Sequence, residues 1–352
     1  MSIPVRNIYY LLCYAWDALE QRDAVDVGQL ESHGVADLLA RVLAQGVSDL
    51  LRRGLDRDYV EVSSDVAGVR GRIDFPATTS RMLLPHARTH CRHDELVHDV
   101  VQNRILRASV RQLALVRSIG EAHRGALLDL WARMADVTPI RLDGGMFARV
   151  RVHRNNAVYG FLLHVCRLAY ESMLVEEGGR SARFIDFTRE GGMARLFEAF
   201  VRNFYRRELS DCRVGREVIE WDARPLDARS AEVLPRMEAD TVLDAGTKRV
   251  VVETKYYAAP MQHRFGKAAI RSAHLYQLFS YLKNLEVLGG SNTGASGVLL
   301  YAGTGTPMDF WFDVCGHRVW VTSIDLDRPW QSIHEDLLRI AAVSLDAANT
   351  RS

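Results

Sequence analysis

The sequence predicts an α/β protein of two domains, from its length, its composition and the order of its elements. A chain of 352 residues is too long for one ordinary hydrophobic core. Its 48% hydrophobic and 25% charged residues are typical of folded globular proteins. We expect an α+β domain over residues 1–180 and a mixed sheet flanked by helices over residues 181–352. Gly178-Gly179 and Gly191-Gly192 bracket the transition between them.

The first half carries both helical and strand patterns. Apolar residues recur every three or four positions in its helical segments, whereas Tyr-Val-Glu-Val at residues 59–62 alternates as a strand does. Gly68 and Gly71 permit turns beside that strand. We expect strand structure over 58–75 and helices over 7–21, 35–53, about 94–117, about 120–135 and about 157–174.

The second half has the element order of a sheet covered by helices. A hairpin of two apolar strands lies at its centre, and helical periodicity precedes and follows it. The expected elements are a helix over about 193–209, a strand near 214–221, a hairpin over 238–257, a helix over about 268–285, strands near 297–302, 309–314 and 318–324, and a helix from about 330.

Charge, cysteines and hydropathy limit the class of protein. The net charge is only +1, so any surface that binds nucleic acid must be local. The five cysteines are scattered and lack Cys-x-x-Cys, which predicts a reduced, cytoplasmic protein with small buried thiols. The apolar run at residues 8–16 is too short to span a membrane, so no membrane partner is expected. The phosphate-binding pattern Gly-x-x-x-x-Gly-Lys-Ser/Thr does not occur in the sequence.

The hairpin carries two carboxylates and a lysine at spacings that indicate a metal site. With Gly246-Thr247 as its turn, Asp240 is expected opposite Glu253, where two like charges repel each other. A divalent cation between them removes that repulsion, and oxygen ligands suit Mg²⁺ or Mn²⁺. Lys255 shares the face of Glu253, and Thr254 points to the other face, because side chains alternate along a strand. Only four of the 45 basic residues are lysines, which indicates that a compact ammonium group is needed here.

Three further side chains are candidates for the same site. Gln277 and Tyr281 are four residues apart on the helix after the hairpin and share one of its faces. Without the hairpin, an ordinary amphipathic helix with Tyr281 half-buried would be the preferred explanation of this pair. Glu198 lies on a helix with an apolar stripe. It is either a solvated charge or a ligand that approaches the metal from the edge of the sheet.

These residues resemble a known family. Asp240, Glu253-x-Lys255 and Gln277-x-x-x-Tyr281 resemble the PD-(D/E)xK nucleases of the RecB-like branch. More closely, the chain is similar to the McrC family, the nuclease subunits of McrBC modification-dependent restriction systems. The matching segments span nearly the whole chain, and they are Ile3-Pro-Val-Arg-Asn-Ile-Tyr-Tyr, Arg52-Arg-Gly-Leu, Gly68-Val-Arg-Gly-Arg-Ile-Asp-Phe, Asn103-Arg-Ile, Arg206-Arg-Glu-Leu, Leu234-Pro-Arg-Met-Glu-Ala-Asp, Lys255-Tyr-Tyr and Leu275-Tyr-Gln-Leu.

The resemblance implies a restriction-endonuclease-like domain in which Asp240 and Glu253 bind Mg²⁺ and Lys255 completes the catalytic group. It implies double-stranded DNA as substrate and a McrB-like AAA+ hexamer as partner, with GTP bound by that partner. The N-terminal domain would dock into the ring and stimulate GTP hydrolysis. Arg70 and Arg72 are candidates for ring contacts, or are solvated arginines at a strand edge. The sequence departs from the family where Ala239 replaces the usual proline and where the middle acid is Glu rather than Asp.

Other interpretations remain open at this point. The chain could be a stand-alone RecB-like repair nuclease, or a subunit that regulates the GTPase ring and has lost its nuclease activity. Asp244, opposite Arg249 in the hairpin, is expected to form a cross-strand ion pair with it. One histidine-rich segment invites a zinc interpretation, but its spacing fits no standard zinc module, and its residues are His86, His90, Cys91, His93 and His98.

Overall fold

The computed structural model describes residues 3–17, 34–150, 157–175, 182–184, 192–256, 262–264, 267–303 and 307–348. The helices are α1 (Val5–Ala15), α2 (Val35–Arg53), α3 (Phe75–Ser80), α4 (Val101–Ala114), α5 (Glu121–Arg133), α6 (Gly144–Arg149), α7 (Ala157–Glu171), α8 (Gly192–Glu208), α9 (Ala228–Glu232), α10 (Ser272–Glu286) and α11 (Trp330–Ala347). The strands are β1 (Asp58–Ala67), β2 (Arg72–Ile73), β3 (Arg88–Val97), β4 (Met173–Val175), β5 (Ala182–Phe184), β6 (Arg213–Ile219), β7 (Met237–Asp244), β8 (Arg249–Tyr256), β9 (Gln262–Arg264), β10 (Lys267–Ala269), β11 (Ser296–Gly303), β12 (Asp309–Val314) and β13 (His317–Asp325).

The chain forms two compact units that differ from the expected domains at one end. One unit comprises residues 39–185, and the other comprises residues 1–38 together with residues 186–352. The division near 185 lies close to the expected boundary at 180. The N-terminal helix α1, however, belongs to the same unit as the C-terminal half, because it contacts α8. We call residues 39–185 the insert unit and the remainder the sheet unit.

A six-stranded mixed sheet forms the core of the sheet unit, which confirms the predicted α/β architecture. Its strand order is β12-β13-β11-β8-β7-β6. Strands β8, β11 and β13 are parallel neighbours, and the other pairings are antiparallel. Helix α10 buries Leu278, Leu282 and Leu285 against one face of the sheet. Helices α8 and α11 contact the strands as well, so the central strands are covered on both faces and have nearly continuous apolar sequences.

Helix α1 is buried on nearly every side, which explains why its sequence is so apolar. Tyr10 and Tyr14 lie 4.8 Å and 5.5 Å from the ring of Trp330, measured between ring centroids. The amide of Asn7 donates to the carbonyls of Leu326 and Arg328, at 2.8 Å each. These contacts join the start of the chain to the loop between β13 and α11. No helix in the described part of the chain is long and apolar enough to cross a membrane.

The insert unit contains the three-stranded antiparallel sheet β1-β3-β2 and helices α4, α5 and α7. The expected helix from residue 94 was wrong at its start, because residues 94–97 belong to β3 and the helix begins at Val101. Ten residues of β3 pair with β1, from Asp58 opposite Val97 to Ala67 opposite Arg88. Pairing with a distant strand outweighs the local helical pattern at these positions.

Asn103 holds the start of α4 inside the insert unit. Its side chain is fully buried and donates to the carbonyls of Asp56, at 2.9 Å, and His98, at 2.6 Å. Its amide oxygen accepts from the hydroxyl of Tyr159 at 2.7 Å. One side chain therefore satisfies three polar groups that belong to separate segments.

Replacing Asn103 with Ala is expected to lower the free energy of unfolding of the insert unit by about 2–4 kcal/mol, since three buried groups lose their partners. Urea denaturation followed by circular dichroism measures the change. Gln102→Ala is the matched control, because that half-buried side chain makes one contact, to a carboxylate oxygen of Asp56 at 3.0 Å. An equal loss in both variants would contradict the prediction.

Candidate active site

The hairpin has the register expected from its turn. Asp244 pairs with Arg249 and Thr241 pairs with Val252 across β7 and β8. The turn is closed by the amide of Ala245, which donates to the carbonyl of Lys248 at 3.0 Å, and Gly246 has a φ of +80°. A positive φ at this position is accessible to glycine at little cost, so the register follows from the turn residues.

Asp240 departs from simple alternation because β7 is bulged there. Gly215 on β6 pairs with Val242 and Glu217 pairs with Ala239, so two residues of β7 oppose one of β6. Such a bulge turns a side chain away from the direction that alternation predicts. The Asp240 carboxylate accepts from the backbone N–H of Thr254 at 3.0 Å and from its hydroxyl at 2.8 Å. Asp240 is thus fixed by Thr254, which was expected to face away from the site.

Glu253 and Lys255 lie together on the face of β8 that α10 covers. The ammonium group of Lys255 donates to Oε1 of Glu253 at 2.5 Å and to the amide oxygen of Gln277 at 3.1 Å. Only 1% of Glu253 is exposed, and its Oε2 is buried with no hydrogen-bond partner in the described part of the chain. An ionised carboxylate oxygen buried without a partner is costly, so a proton or a cation at this atom would be favourable.

The two acidic groups are held in an environment that disfavours their charge. Burial, followed by the neighbouring Asp240, raises the pKa of Glu253 to about 7. Burial, followed by the charge of Glu198, raises the pKa of Asp240. A divalent cation would reverse both effects and would satisfy Oε2 of Glu253, and carboxylate oxygens are the ligands that Mg²⁺ and Mn²⁺ prefer. The side chains present therefore fit a metal ion of this class.

Glu198 lies beside the pair, but arginines hold it. Its Oε1 accepts from Nη1 of Arg202 at 3.0 Å and also from Nη2 of Arg216. Arg202 donates in addition to the carbonyl of Asp240 at 3.2 Å. No group of three or more His, Cys, Asp or Glu side chains within the described ranges is placed to hold a metal ion. The centre consists of two carboxylates, with Glu198 next to them in two ion pairs.

Gln277 and Tyr281 extend the site along α10. The amide nitrogen of Gln277 donates to the Tyr281 hydroxyl at 2.8 Å, and that hydroxyl donates to the carbonyl of Glu238 at 3.1 Å. Burial raises the pKa of Tyr281, which keeps the hydroxyl protonated. The expected grouping of Gln277 and Tyr281 on one face is confirmed, and its effect is to fix the ammonium group of Lys255 relative to β7.

Comparison with known proteins places the chain in a family. The family model described as McrBC 5-methylcytosine restriction system component matches residues 5–302. The chain belongs to this McrBC family. A protein of Escherichia coli (strain K12), described as the type IV methyl-directed restriction enzyme EcoKMcrBC, is 31% identical over 339 residues, or 96% of this chain and 97% of that protein.

A solved structure supports the fold of this McrBC family member. It is the refined half-complex from a tetradecameric assembly of Thermococcus gammatolerans McrB AAA+ hexamers with bound McrC. The likeness has a TM-score of 0.54 at 19% sequence identity, and it covers 96% of this chain and 75% of the solved chain. The arrangement of the elements is therefore shared across nearly the whole of this chain.

In the segment Gly68–Phe75, residues 68–71 form an exposed turn between β1 and β2. Gly71 has a φ of +70°, and a Cβ atom there would lie 2.4 Å from the carbonyl oxygen of Arg92, so no larger residue fits. Arg70 and Arg72 are both exposed beside it. The structure places these two arginines on the insert unit and Asp240 on the sheet unit.

Two expectations for individual side chains were wrong. Asp244 accepts from Arg213 at 2.7 Å rather than from Arg249, whose guanidinium group donates to Glu217 and, at 2.6 Å, to Asn292. Backbone pairing alone does not decide which neighbouring acid a long side chain reaches. The cysteines are free, but they are not all buried, since Cys212 is half-buried and Cys315 is exposed.

The histidine-rich segment of this McrBC family member forms a polar network around His90, in β3. Nδ1 of His90 lies 2.6 Å from Asp65, its Nε2 lies 3.0 Å from the hydroxyl of Ser63, and Arg81 lies 3.2 Å from Nδ1. These contacts connect β1 and α3 to β3. They give His90 a structural role within the insert unit.

Sequence reasoning missed the roles of three residues of the candidate site. Arg202 follows Glu198 by four residues on one helix, so the ion pair between them could have been predicted from this spacing. The contact of Thr254 with Asp240 and that of Arg216 with Glu198 could not be predicted, because they form where β7 is bulged.

Proposed function

We propose that this chain is the Mg²⁺-dependent DNA endonuclease subunit of a McrBC-like restriction complex, acting with a GTP-hydrolysing AAA+ partner. The observation that carries the proposal is the buried Oε2 of Glu253, which has no partner in the described part of the chain and lies beside a second carboxylate, Asp240. Membership of the McrBC family and the PD-(D/E)xK spacing support the same chemistry.

Asp240 and Glu253 would hold the metal ion. When bound, Mg²⁺ (or Mn²⁺) activates a water molecule for attack on the phosphodiester and stabilises the charge that develops on the phosphoryl oxygens. Lys255 adds a positive charge at the same position, aimed by Glu253 and Gln277. Thr254 keeps Asp240 in place through two hydrogen bonds. Glu198 contributes through Arg202 and Arg216, or as a further ligand once those ion pairs open.

The partner and the substrate follow from the family. The solved relative is bound to McrB AAA+ hexamers, and the curated relative is a methyl-directed restriction enzyme. We propose that this chain likewise binds an AAA+ ring, that the ring binds GTP and recognises modified double-stranded DNA, and that the insert unit makes the ring contacts, with Arg70 and Arg72 among them.

The experiment is a GTP-dependent cleavage assay on methylated and unmethylated DNA with the AAA+ protein encoded next to this chain. Asp240→Ala is expected to lower cleavage at least about 1000-fold, because it removes a metal ligand, and to leave stimulation of GTP hydrolysis unchanged. Asp346→Ala is the control, since this exposed carboxylate on α11 has one partner among the described residues, Lys248 beside the hairpin turn, at 3.1 Å.

Each outcome selects one interpretation. Undiminished cutting by Asp240→Ala would show that Asp240 takes no part in the reaction and that the proposed metal site is wrong. Cutting by the purified chain without a partner would indicate a stand-alone repair nuclease. No cutting under any condition, with no Mn²⁺ binding by calorimetry, would indicate a regulatory subunit without nuclease activity.

A further inference from the structure

A cavity in the insert unit is lined by three arginines and no acid. It has a volume of about 250 Å³ and lies between α4, the end of α5 and residues 139–141. Arg107 and Arg111 come from α4, and Arg141 comes from the segment after α5. The ring of Trp131 and the side chains of residues 139 and 140 form an apolar wall. The cavity belongs to a different unit from Asp240 and Glu253.

Arg107 is the buried member of this group. Only 8% of it is exposed, and it donates to the carbonyls of Val137 and Ala135. Its Nε is buried and has no acceptor among the described residues. The guanidinium carbon of Arg107 lies 5.4 Å from the centroid of Trp131, and that of Arg111 lies 4.9 Å from it. Contact with an aromatic face positions a guanidinium group but leaves its N–H donors available to an anion.

The positive charge of the cavity is not compensated in the structure. Within the described part of the chain, Arg111 and Arg141 form no ion pair, whereas other arginines of the unit do. Asp99, whose partner Thr138 directly precedes the cavity residue Pro139, is already bonded: it accepts from Arg104 at 2.8 Å and from the hydroxyl of Thr138 at 2.6 Å. A concave surface with three guanidinium groups and no carboxylate attracts an anion.

We propose that this cavity binds the phosphate of a single nucleotide, either a free nucleotide or the terminal nucleotide of a nucleic-acid strand. Guanidinium groups bind phosphate oxygens through paired, charge-assisted hydrogen bonds, and the apolar wall with Trp131 offers a surface for a base or sugar. The volume of about 250 Å³ is below the range of about 300–1,000 Å³ of ordinary ligand pockets, so the cavity is suited to a phosphate group and its nearest sugar or base and not to a duplex.

Isothermal titration of the full-length chain tests the proposal. EDTA is present, so that no metal held by Asp240 and Glu253 contributes. The probes are dAMP, deoxyadenosine, and a short deoxyoligonucleotide with a 5′-phosphate or a 5′-hydroxyl. We expect dAMP to bind at least about tenfold more tightly than deoxyadenosine, because only dAMP brings the charged group. If the 5′-phosphorylated strand binds more tightly than dAMP, the ligand is the end of a strand. If dAMP binds more tightly, the ligand is a free nucleotide.

Variants locate the binding. Arg111→Gln and Arg141→Gln are each expected to weaken dAMP binding about tenfold, since each removes one charged donor pair from an exposed side chain. Arg133→Gln is the matched control, because this arginine of α5 lies outside the cavity and contacts Asp129 at 3.7 Å. Thermal unfolding confirms that each variant is folded.

The proposal is overturned if none of the phosphate probes binds, if deoxyadenosine binds as well as dAMP, or if Arg133→Gln weakens binding as much as the cavity variants. Binding of a peptide through its terminal carboxylate, with no binding of phosphates, also overturns it. Glu253→Gln should bind dAMP as the unaltered chain does. That result separates this site from the proposed nuclease centre, because a failure of either proposal leaves the other measurable.

Discussion

Replacing Glu253 with Gln is expected to abolish DNA cleavage and, at pH 8 without metal, to stabilise the chain. The two effects have one cause. Glu253 is 1% exposed, and its Oε2 has no partner in the described ranges, so the ionised side chain costs folding energy unless a cation binds it. Gln has nearly the same shape without the charge. Cleavage should fall at least about 1000-fold, since a metal ligand is lost.

The pH dependence of this stability follows from the raised pKa. The folded-state pKa is about 7, against 4.5 for the ordinary group, and burial is the first cause. Because the folded protein holds this proton more tightly than the unfolded chain, the contribution of Glu253 to stability is present below pH 4.5 and is lost as the pH rises through 7. The difference is at most about 3 kcal/mol.

Thermal unfolding in EDTA between pH 5 and pH 8 measures this effect. The unaltered chain should lose stability relative to Glu253→Gln across that range, and saturating Mg²⁺ should restore it only in the unaltered chain. Glu217→Gln is the control, because that carboxylate has a partner in Arg249 and its loss should destabilise the fold. If Glu253→Gln were less stable at pH 8, the buried-charge explanation would be wrong.

Removing residues 1–17 is expected to prevent the sheet unit from folding. Helix α1 buries eight apolar side chains, from Ile8 to Ala15, and each large one contributes about 1.5–3 kcal/mol. Their sum is comparable to the total stability of a domain, about 5–15 kcal/mol. The deletion would also expose Phe200, Phe204 and Trp330, which contact Tyr14.

A graded variant makes this prediction measurable where the deletion gives insoluble protein. Asn7→Ala should lower the free energy of unfolding by about 2–4 kcal/mol, because the carbonyls of Leu326 and Arg328 lose their donor. Arg6→Ala is the control, since that exposed side chain contacts Tyr10 alone among the described residues. A sheet that remains folded and cooperative without residues 1–17 would show that α1 is not part of its core.

The elements of the chain could be predicted well wherever a local pattern decides them. The hairpin register follows from Gly246, and α8, α10 and the last three strands lie close to their expected positions. Strand β3 could not be predicted over its full length, because its pairing with β1 involves residues far apart in sequence. The packing of α1 on α8 could not be predicted for the same reason.

The two carboxylates and the lysine of the candidate site were found from sequence, and the residues that hold Asp240 and Glu198 were not. Spacing along a strand or a helix placed Glu253 with Lys255 and Gln277 with Tyr281, since both periodicities are local. Only the tertiary structure decided that a bulge turns Asp240 to Thr254, that two arginines hold Glu198, and that Oε2 of Glu253 is buried without a partner among the residues that the structure describes. The physical reason is that bulges, ion-pair choice and burial depend on how distant segments meet, and no short stretch of sequence encodes that.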